Sequence, residues 1–204
     1  MVPRPMRPAH SDTLSRYSQQ KWLERSLHSG EFRLVSASYI QAIENDAERQ
    51  DDERRRNYEI ESKSLKVTHG ETNREIPLRS NLKVSSSLAS DYYLLCFTAQ
   101  RHDMMYDIFE GSDACLTIRD RVRFSERLYQ ETDRALPGWG AVDASVIYGG
   151  MSHEFGPAFM KPEKYVFQFE WRYVWLPPEP VKELENLTIS VGSIEDIAEL
   201  EPRA

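Results

Sequence analysis

Lys164-Tyr-Val-Phe-Gln-Phe-Glu-Trp-Arg-Tyr-Val-Trp-Leu176 is the longest run of strict two-residue alternation in the chain. Side chains switch faces at each residue of an extended strand. The spacing therefore puts Tyr165, Phe167, Phe169, Trp171, Tyr173 and Trp175 on one face. Val166, Gln168, Glu170, Arg172, Val174 and Leu176 take the other. The aromatic side predicts a packed core strand. The opposite side sets an amide, a carboxylate and a guanidinium in a row, and such groups are costly in mid-strand unless paired or used. Two readings stay open here: a solvated or Glu170–Arg172-paired face, and the floor of a pocket.

Outward from this stretch, Asp91 to Thr98 is a continuous apolar run and predicts a central strand covered on both sides. It ends at Thr98, and the polar segment from Arg101 to Tyr106 that follows is well placed for ligand contact. Ala114–Ile118, Val142–Tyr148 and Leu187–Val191 read as further strands. In Glu31–Ser36, Phe32, Leu34 and Ser36 alternate with Arg33 and Val35. A helix is expected from Ser11 or Asp12 to about Leu27, with Leu14, Tyr17, Leu23 and Leu27 buried and Gly30 ending it. Tyr39–Asn57 predicts a second helix, Met104–Phe109 a helical turn, and Asp120–Asp133 a helix burying Val122, Leu128 and Tyr129. A short terminal helix, Ile194–Leu200, would be capped by Ser193. Tyr58–Thr68 reads as one strand, Gly70–Arg79 as a turn with a short edge piece, and 151–163 as a loop beside the final sheet. Serine-rich Ser80–Ser90 reads as a mobile loop near the site. Trp139, Phe155 and Phe159 read as core before they read as a partner surface.

This order predicts an α+β fold, a strongly bent mixed or antiparallel sheet with short helices packed around it, and not the regular alternation of a doubly wound sheet. Residues 1–10 hold three prolines and read as a flexible lead-in; 11–204 read as one domain, long enough for a sizeable core. The formal net charge of -7 argues against a sequence-independent nucleic-acid sleeve. Nineteen arginines, with Arg54-Arg55-Arg56 in a row, still leave room for a local basic cleft. Cys96 and Cys115 lie in apolar runs and fit reduced, packed thiols of a cytoplasmic protein. No 18-residue apolar segment and no signal-peptide pattern occur, so no membrane association is expected. The sequence sets no oligomeric state.

Motifs exclude several chemistries. There is no Gly-x-Gly-x-x-Gly segment, no phosphate-binding loop and no strand-turn-helix serine elbow. The five histidines are scattered, and only a folded set of His102, Asp103 and His153 could form a metal site; no metal is expected. Glu170 with Gln168 remains. A carboxylate in an aromatic-walled cleft can stabilise positive charge developing on a sugar carbon or orient an incoming nucleophile. Gln168 could hydrogen-bond the substrate, and Arg33 or Arg172 could hold a phosphate bidentately. Such groups suit transfer from a nucleotide-sugar donor such as NAD.

Two resemblances bear on these residues. Leu27–Ser38 with Glu44-Asn45-Asp46, Leu94-Leu-Cys-Phe-Thr98 with Met104-Met105 and Ala114-Cys-Leu116, and Gln168-Phe-Glu-Trp-Arg172 resemble a bacterial family of unknown function over roughly residues 15–195. That family carries an early strand after a short helix, a Cys-Phe-Ser strand end before a Met-Trp segment, and a late Glu-x-Arg strand. Met105 stands where its pattern has Trp, Asp113 where it has Gly, and the proline-acid continuation after Asn45-Asp46 is missing. More distantly, the order of Arg33, Thr98 and Glu170 with Gln168 is similar to that of ADP-ribosyltransferases. This second resemblance implies transfer from NAD to a macromolecular target, protein or nucleic acid. Glu170 and Gln168 would then be catalytic, and Arg33, Thr98, Tyr106 and Arg172 would surround the cofactor. A toxin, effector or phage-defence role would follow from the same resemblance. The alternative is a non-catalytic nucleotide-binding or protein-interaction module of a bacterial defence or regulatory system, its ligand held by Arg33, Arg172 or the 101–106 segment.

Overall fold

In the computed structural model, residues 12–43, 54–149 and 154–203 are described. The chain runs β1 (Leu14–Ser18), α1 (Gln20–Ser29), β2 (Glu31–Ser36), α2 (Ala37–Ile43), β3 (Arg55–Ile60), β4 (Val67–Thr68), β5 (Glu75–Ile76) and β6 (Leu82–Ser87). It continues with β7 (Tyr93–Thr98), α3 (Met104–Ile108), β8 (Ala114–Ile118), α4 (Arg121–Ala135), β9 (Gly140–Ser145), β10 (Ile147–Tyr148) and β11 (Met160–Lys161). β12 (Glu170–Leu176), β13 (Leu187–Ser190) and β14 (Ala198–Pro202) complete it. The fold is α+β, with a large antiparallel sheet and a few short helices.

The sheet is forked. β12 pairs with β9 on one edge and along the whole of β7 on the other. The far edge of β7 is then shared between two strands. β2 pairs with it at Tyr93 and Leu94, and β1 joins only at Thr98. One branch continues from β2 to β13, the other from β1 through β8 to β14. Helix α1 links the two branches and packs against β2, β8 and β14.

Both faces of β7 and β12 are covered, as the continuous apolar run of β7 requires. Trp171, Tyr173 and Trp175 enter the main core with Leu95, Phe97, Phe32 and Phe124 of α4. Val174 and Leu94 meet Tyr92, Ala158 and Phe159 on the other side. The aromatic alternation therefore holds through β12 but not before it. Glu163–Gln168 is a 3-10 helix, and Phe169 adopts a left-handed φ of 43° that turns the chain into the strand. Tyr165, Phe167 and Phe169 are only half-buried.

Other expectations are revised where long-range pairing overrides local pattern. The first helix starts at Gln20, because Leu14–Ser18 forms a five-pair ladder with β8. The segment read as a terminal helix is a turn followed by β14, which covers the other edge of β8. The second helix ends at Ile43, residues 44–53 lie outside the described residues, and Arg55–Ile60 is a strand instead. Ser80–Ser90 contains β6, which forms a hairpin with β3 and lines neither cavity described below. Within α4, Val122 is exposed and Phe124 takes the buried position. Phe155 is exposed, whereas Trp139 stacks on Tyr93 and Phe159 is buried. The 1–10 lead-in and His153 lie outside the described residues. None of the helices among the described residues is long and apolar enough to cross a membrane.

Gly30 ends α1 as expected, at φ 63°, and there the chain crosses the 191–193 segment. A Cβ at Gly30 would fall 2.0 Å from the carbonyl oxygen of Gly192. Gly30→Ala should therefore cost about 2 kcal/mol, combining left-handed strain with displacement of that backbone. Gly111 is also left-handed, but a Cβ there meets nothing within 4 Å. Urea unfolding of Gly111→Ala isolates the conformational part, and equal losses in the two proteins would mean that the Gly30–Gly192 crossing is not tight.

Candidate functional site

The ladders bring three polar residues into one row. Ser15 of β1 faces Thr98 of β7, and Thr98 faces Glu170 of β12. Paired residues in a sheet point to the same face, so all three lie beside one cavity of about 320 Å³. Gln168, Lys161, Cys96 and Arg16 also line it, and Tyr17, Phe97 and Phe109 give it apolar walls.

Glu170 is 7% exposed and fully engaged. Its Oε1 accepts from Arg172 Nε at 2.9 Å, and Oε2 accepts from Arg172 Nη2 at 3.3 Å and Lys161 Nζ at 3.0 Å. Lys161 also donates to Gln168 Oε1 at 3.0 Å. The Glu170 backbone N–H donates to the Tyr148 hydroxyl at 2.8 Å. Tyr148 and Lys161 are paired residues of the parallel β10–β11 ladder, so that short pair of strands fixes the carboxylate from two directions. Burial alone would push the Glu170 carboxyl up. The charges of Arg172 and Lys161, with hydrogen bonds from Arg172 and Cys96, overcome that and hold it far below the ordinary glutamate range. The same environment, burial first and then the Glu170 charge, pushes the Tyr148 hydroxyl strongly up, so it stays protonated. Arg172 is itself buried, and its remaining Nη1 donates to the Ala158 carbonyl at 2.5 Å.

Arg16 is different. It leaves β1 on the main-core side, opposite Leu116, and its guanidinium carbon sits 5.8 Å from the Phe97 ring centroid. Its Nη1 is buried with no hydrogen-bond partner among the described residues, and burial lowers the pKa of the group. A guanidinium remains charged at any physiological pH. Arg172 and Lys161 thus hold the one carboxylate, and Arg16 adds a further positive charge to the cavity lining.

No family model matches this chain, and neither a curated protein nor a solved structure matches it.

Of the residues expected at the site, Glu170, Gln168 and Thr98 share the cavity. Arg172 stands behind it and positions Glu170. The Thr98 hydroxyl donates to the Gln100 carbonyl at 2.9 Å, which ties it to the strand end. Arg33 lies elsewhere, in the neighbouring cavity at the fork, and stacks over Tyr39. Tyr106 lines neither cavity; it meets the Tyr17 ring edge-on at 4.9 Å and sits under Arg203. Cys96, expected as a packed hydrophobe, is half-buried at the cavity wall, whereas Cys115 is buried; both are free thiols. Among the described residues no group of three His, Cys, Asp or Glu side chains is placed to hold a metal ion.

Sequence reasoning missed Arg16, Lys161 and Tyr148. The alternation of Leu14, Arg16 and Ser18 could have exposed Arg16, had Leu14–Ser18 been read as a strand. No local signal marks Lys161 or Tyr148, whose roles arise from strand pairing.

Proposed function

We propose that the chain binds a nucleotide of the NAD type in the Glu170 cavity. The convergence of Glu170, Gln168 and Thr98 on one cavity beside Arg16, whose Nη1 has no acceptor among the described residues, carries this reading. Ribose hydroxyls suit a permanently ionised carboxylate and a side-chain amide. A pyrophosphate suits the surplus cationic charge. Arg16 takes the place for which the sequence suggested Arg33.

Binding without transfer is the leading form of this proposal, because both Glu170 oxygens are already occupied and a carboxylate so paired is a poor base. ADP-ribosyl transfer to a macromolecular target is the second form, favoured by a carboxylate that is ionised and beside the ligand space. In that reaction the bond from the ribose carbon to nicotinamide breaks, and its electron pair leaves with nicotinamide. Glu170 stabilises the resulting positive charge. The target nucleophile then forms the new bond and loses its proton.

Calorimetry with NAD and ADP-ribose, and chromatography for nicotinamide in the presence of a bacterial lysate, test both forms. Saturable binding that weakens about tenfold in Gln168→Ala and persists in Arg33→Gln supports the pocket. Nicotinamide release that disappears in Glu170→Gln, with that protein shown to be folded, selects transfer. No binding of either ligand at millimolar concentration overturns both.

A further inference from the structure

The fork itself encloses a second cavity. Between Ser15–Thr98 and Val35–Leu94 the edge of β7 has no continuous partner, so β1 and β2 diverge and leave a gap beside α1. The cavity there measures about 420 Å³, within the range of small-molecule sites, which starts near 300 Å³. It takes Arg16 and Ser18 from β1, Arg33 from β2 and Thr188 from β13. Trp22, Arg25 and Ser26 come from α1, and Glu31 from the start of β2.

The charge on these walls is not balanced. Glu31 is the only carboxylate among the described lining residues, and it is paired with Arg25 at 2.9 Å. That leaves two guanidiniums, the partly exposed Arg16 and the exposed Arg33, with no carboxylate among the described residues. Arg33 makes a ring contact with Tyr39, and Arg16 one with Phe97. A buried N–H without an acceptor is rare because its lost hydration is uncompensated, and Arg16 Nη1 is such a group. At the rim, Trp22 is 50% exposed, with Lys21 Nζ 5.1 Å and Arg25 Cζ 5.7 Å from its ring centroid. The exposed indole is a mouth of the cavity against which a planar ring can pack in exchange for one of those cations.

We propose that this fork cavity is a site for the phosphate of a phosphorylated small molecule, bound by Arg16 and Arg33. Guanidiniums present paired N–H donors that match phosphate oxygens, and the hydroxyls of Ser18 and Thr188 line the same space. The site shares Arg16 with the Glu170 cavity, and Arg33 sets it apart. Of these two cavities, Arg33, Ser18 and Trp22 border the fork one and Gln168, Thr98 and Glu170 the other. Arg16 is common to both.

The test is calorimetry and thermal shift of the full chain with inorganic phosphate, AMP and adenosine, each in sodium chloride at matched ionic strength to remove general screening. Phosphate or AMP should bind saturably and raise the melting temperature, and adenosine should not. Arg33→Gln and Arg16→Met should each weaken phosphate binding about tenfold or more, and the loss in Arg33→Gln separates this site from the Glu170 cavity, where NAD binding persists in the same variant. Equal affinity for phosphate and AMP identifies free phosphate as the ligand. Tighter AMP binding that is lost in Trp22→Ala identifies a nucleotide. Absence of saturable binding by phosphate and AMP at millimolar concentration, or binding indifferent to Arg33→Gln, overturns the site.

Discussion

Replacing Glu170 by Gln should lower the stability of the protein by about 3–5 kcal/mol at pH 7, the cost of removing one member of a buried, hydrogen-bonded ion pair. The loss is large because the partners stay behind. Arg172 is 1% exposed and Lys161 11%, so neither cation regains full hydration when the carboxylate becomes an amide. The pH dependence separates this from a packing defect. The folded carboxyl titrates far below its ordinary value of 4.5, so its contribution is complete above that value and is lost as the pH falls below it. Below pH 4.5 the gap between wild type and Glu170→Gln should close by about 1.4 kcal/mol per pH unit, because only the unfolded wild type takes up the proton. Urea midpoints at pH 7 and pH 3 read this directly. A deficit that is the same at both pH values, or below about 1 kcal/mol at pH 7, would show that Glu170 does not compensate Arg172 and Lys161. A Glu170→Leu/Arg172→Met protein should recover most of the loss, since an apolar replacement leaves fewer charges stranded.

Where one face or both faces of a strand must be apolar, the pattern is local, and Glu31–Ser36, Tyr93–Thr98 and Ala114–Ile118 could be read from it. Gly30 was legible because only a residue tolerant of positive φ ends a helix in this way. Leu14–Ser18 was not, since Leu14 and Tyr17 suit a helix face as well as a strand, and the decision comes from pairing with residues 114–118, a hundred positions away. The final strand was hidden for the same reason: Ala198–Pro202 is held by the other edge of β8. Gln168 and Glu170 were found together by an alternation that the chain does not keep. They share a cavity because Lys161 reaches both, not because they share a strand face.

That distinction matters for the chemistry. An isolated Glu-x-Arg pair on a strand would be a structural ion pair and nothing more. Here the third partner, Lys161, arrives from the β10–β11 pair and leaves the cluster with more positive than negative charge, beside a fourth ionised group at the fork. Stabilisation of a cation is thereby weakened, and attraction of an anion is strengthened. The forked topology is what makes this arrangement accessible: a sheet with an unbroken β1–β7–β2 edge would have no gap into which Arg16 could project.

Arg16→Met should raise the stability of the ligand-free protein by about 1 kcal/mol, because it removes an orphaned buried N–H of a partly exposed arginine. Two contributions oppose each other at this position. Packing of the guanidinium against Phe97 is favourable, by about 0.5–2 kcal/mol for a cation on an aromatic face. The partly exposed cation carries a buried Nη1 with no acceptor among the described residues, an unfavourable contribution of about 1–3 kcal/mol that no carboxylate among them offsets. Methionine keeps the contact with Phe97 and removes the desolvated charge. Stability gained at the expense of binding is the mark of a residue kept for a ligand, because functional sites hold groups that the folded state alone would not select. Urea midpoints of the two proteins, each with and without AMP, provide the comparison: the variant should be the more stable in buffer, and the nucleotide should stabilise only the wild type. A variant that is less stable than the wild type in buffer would mean that Arg16 holds the fork together by packing, and its orphaned N–H would then be a tolerated cost of the fold.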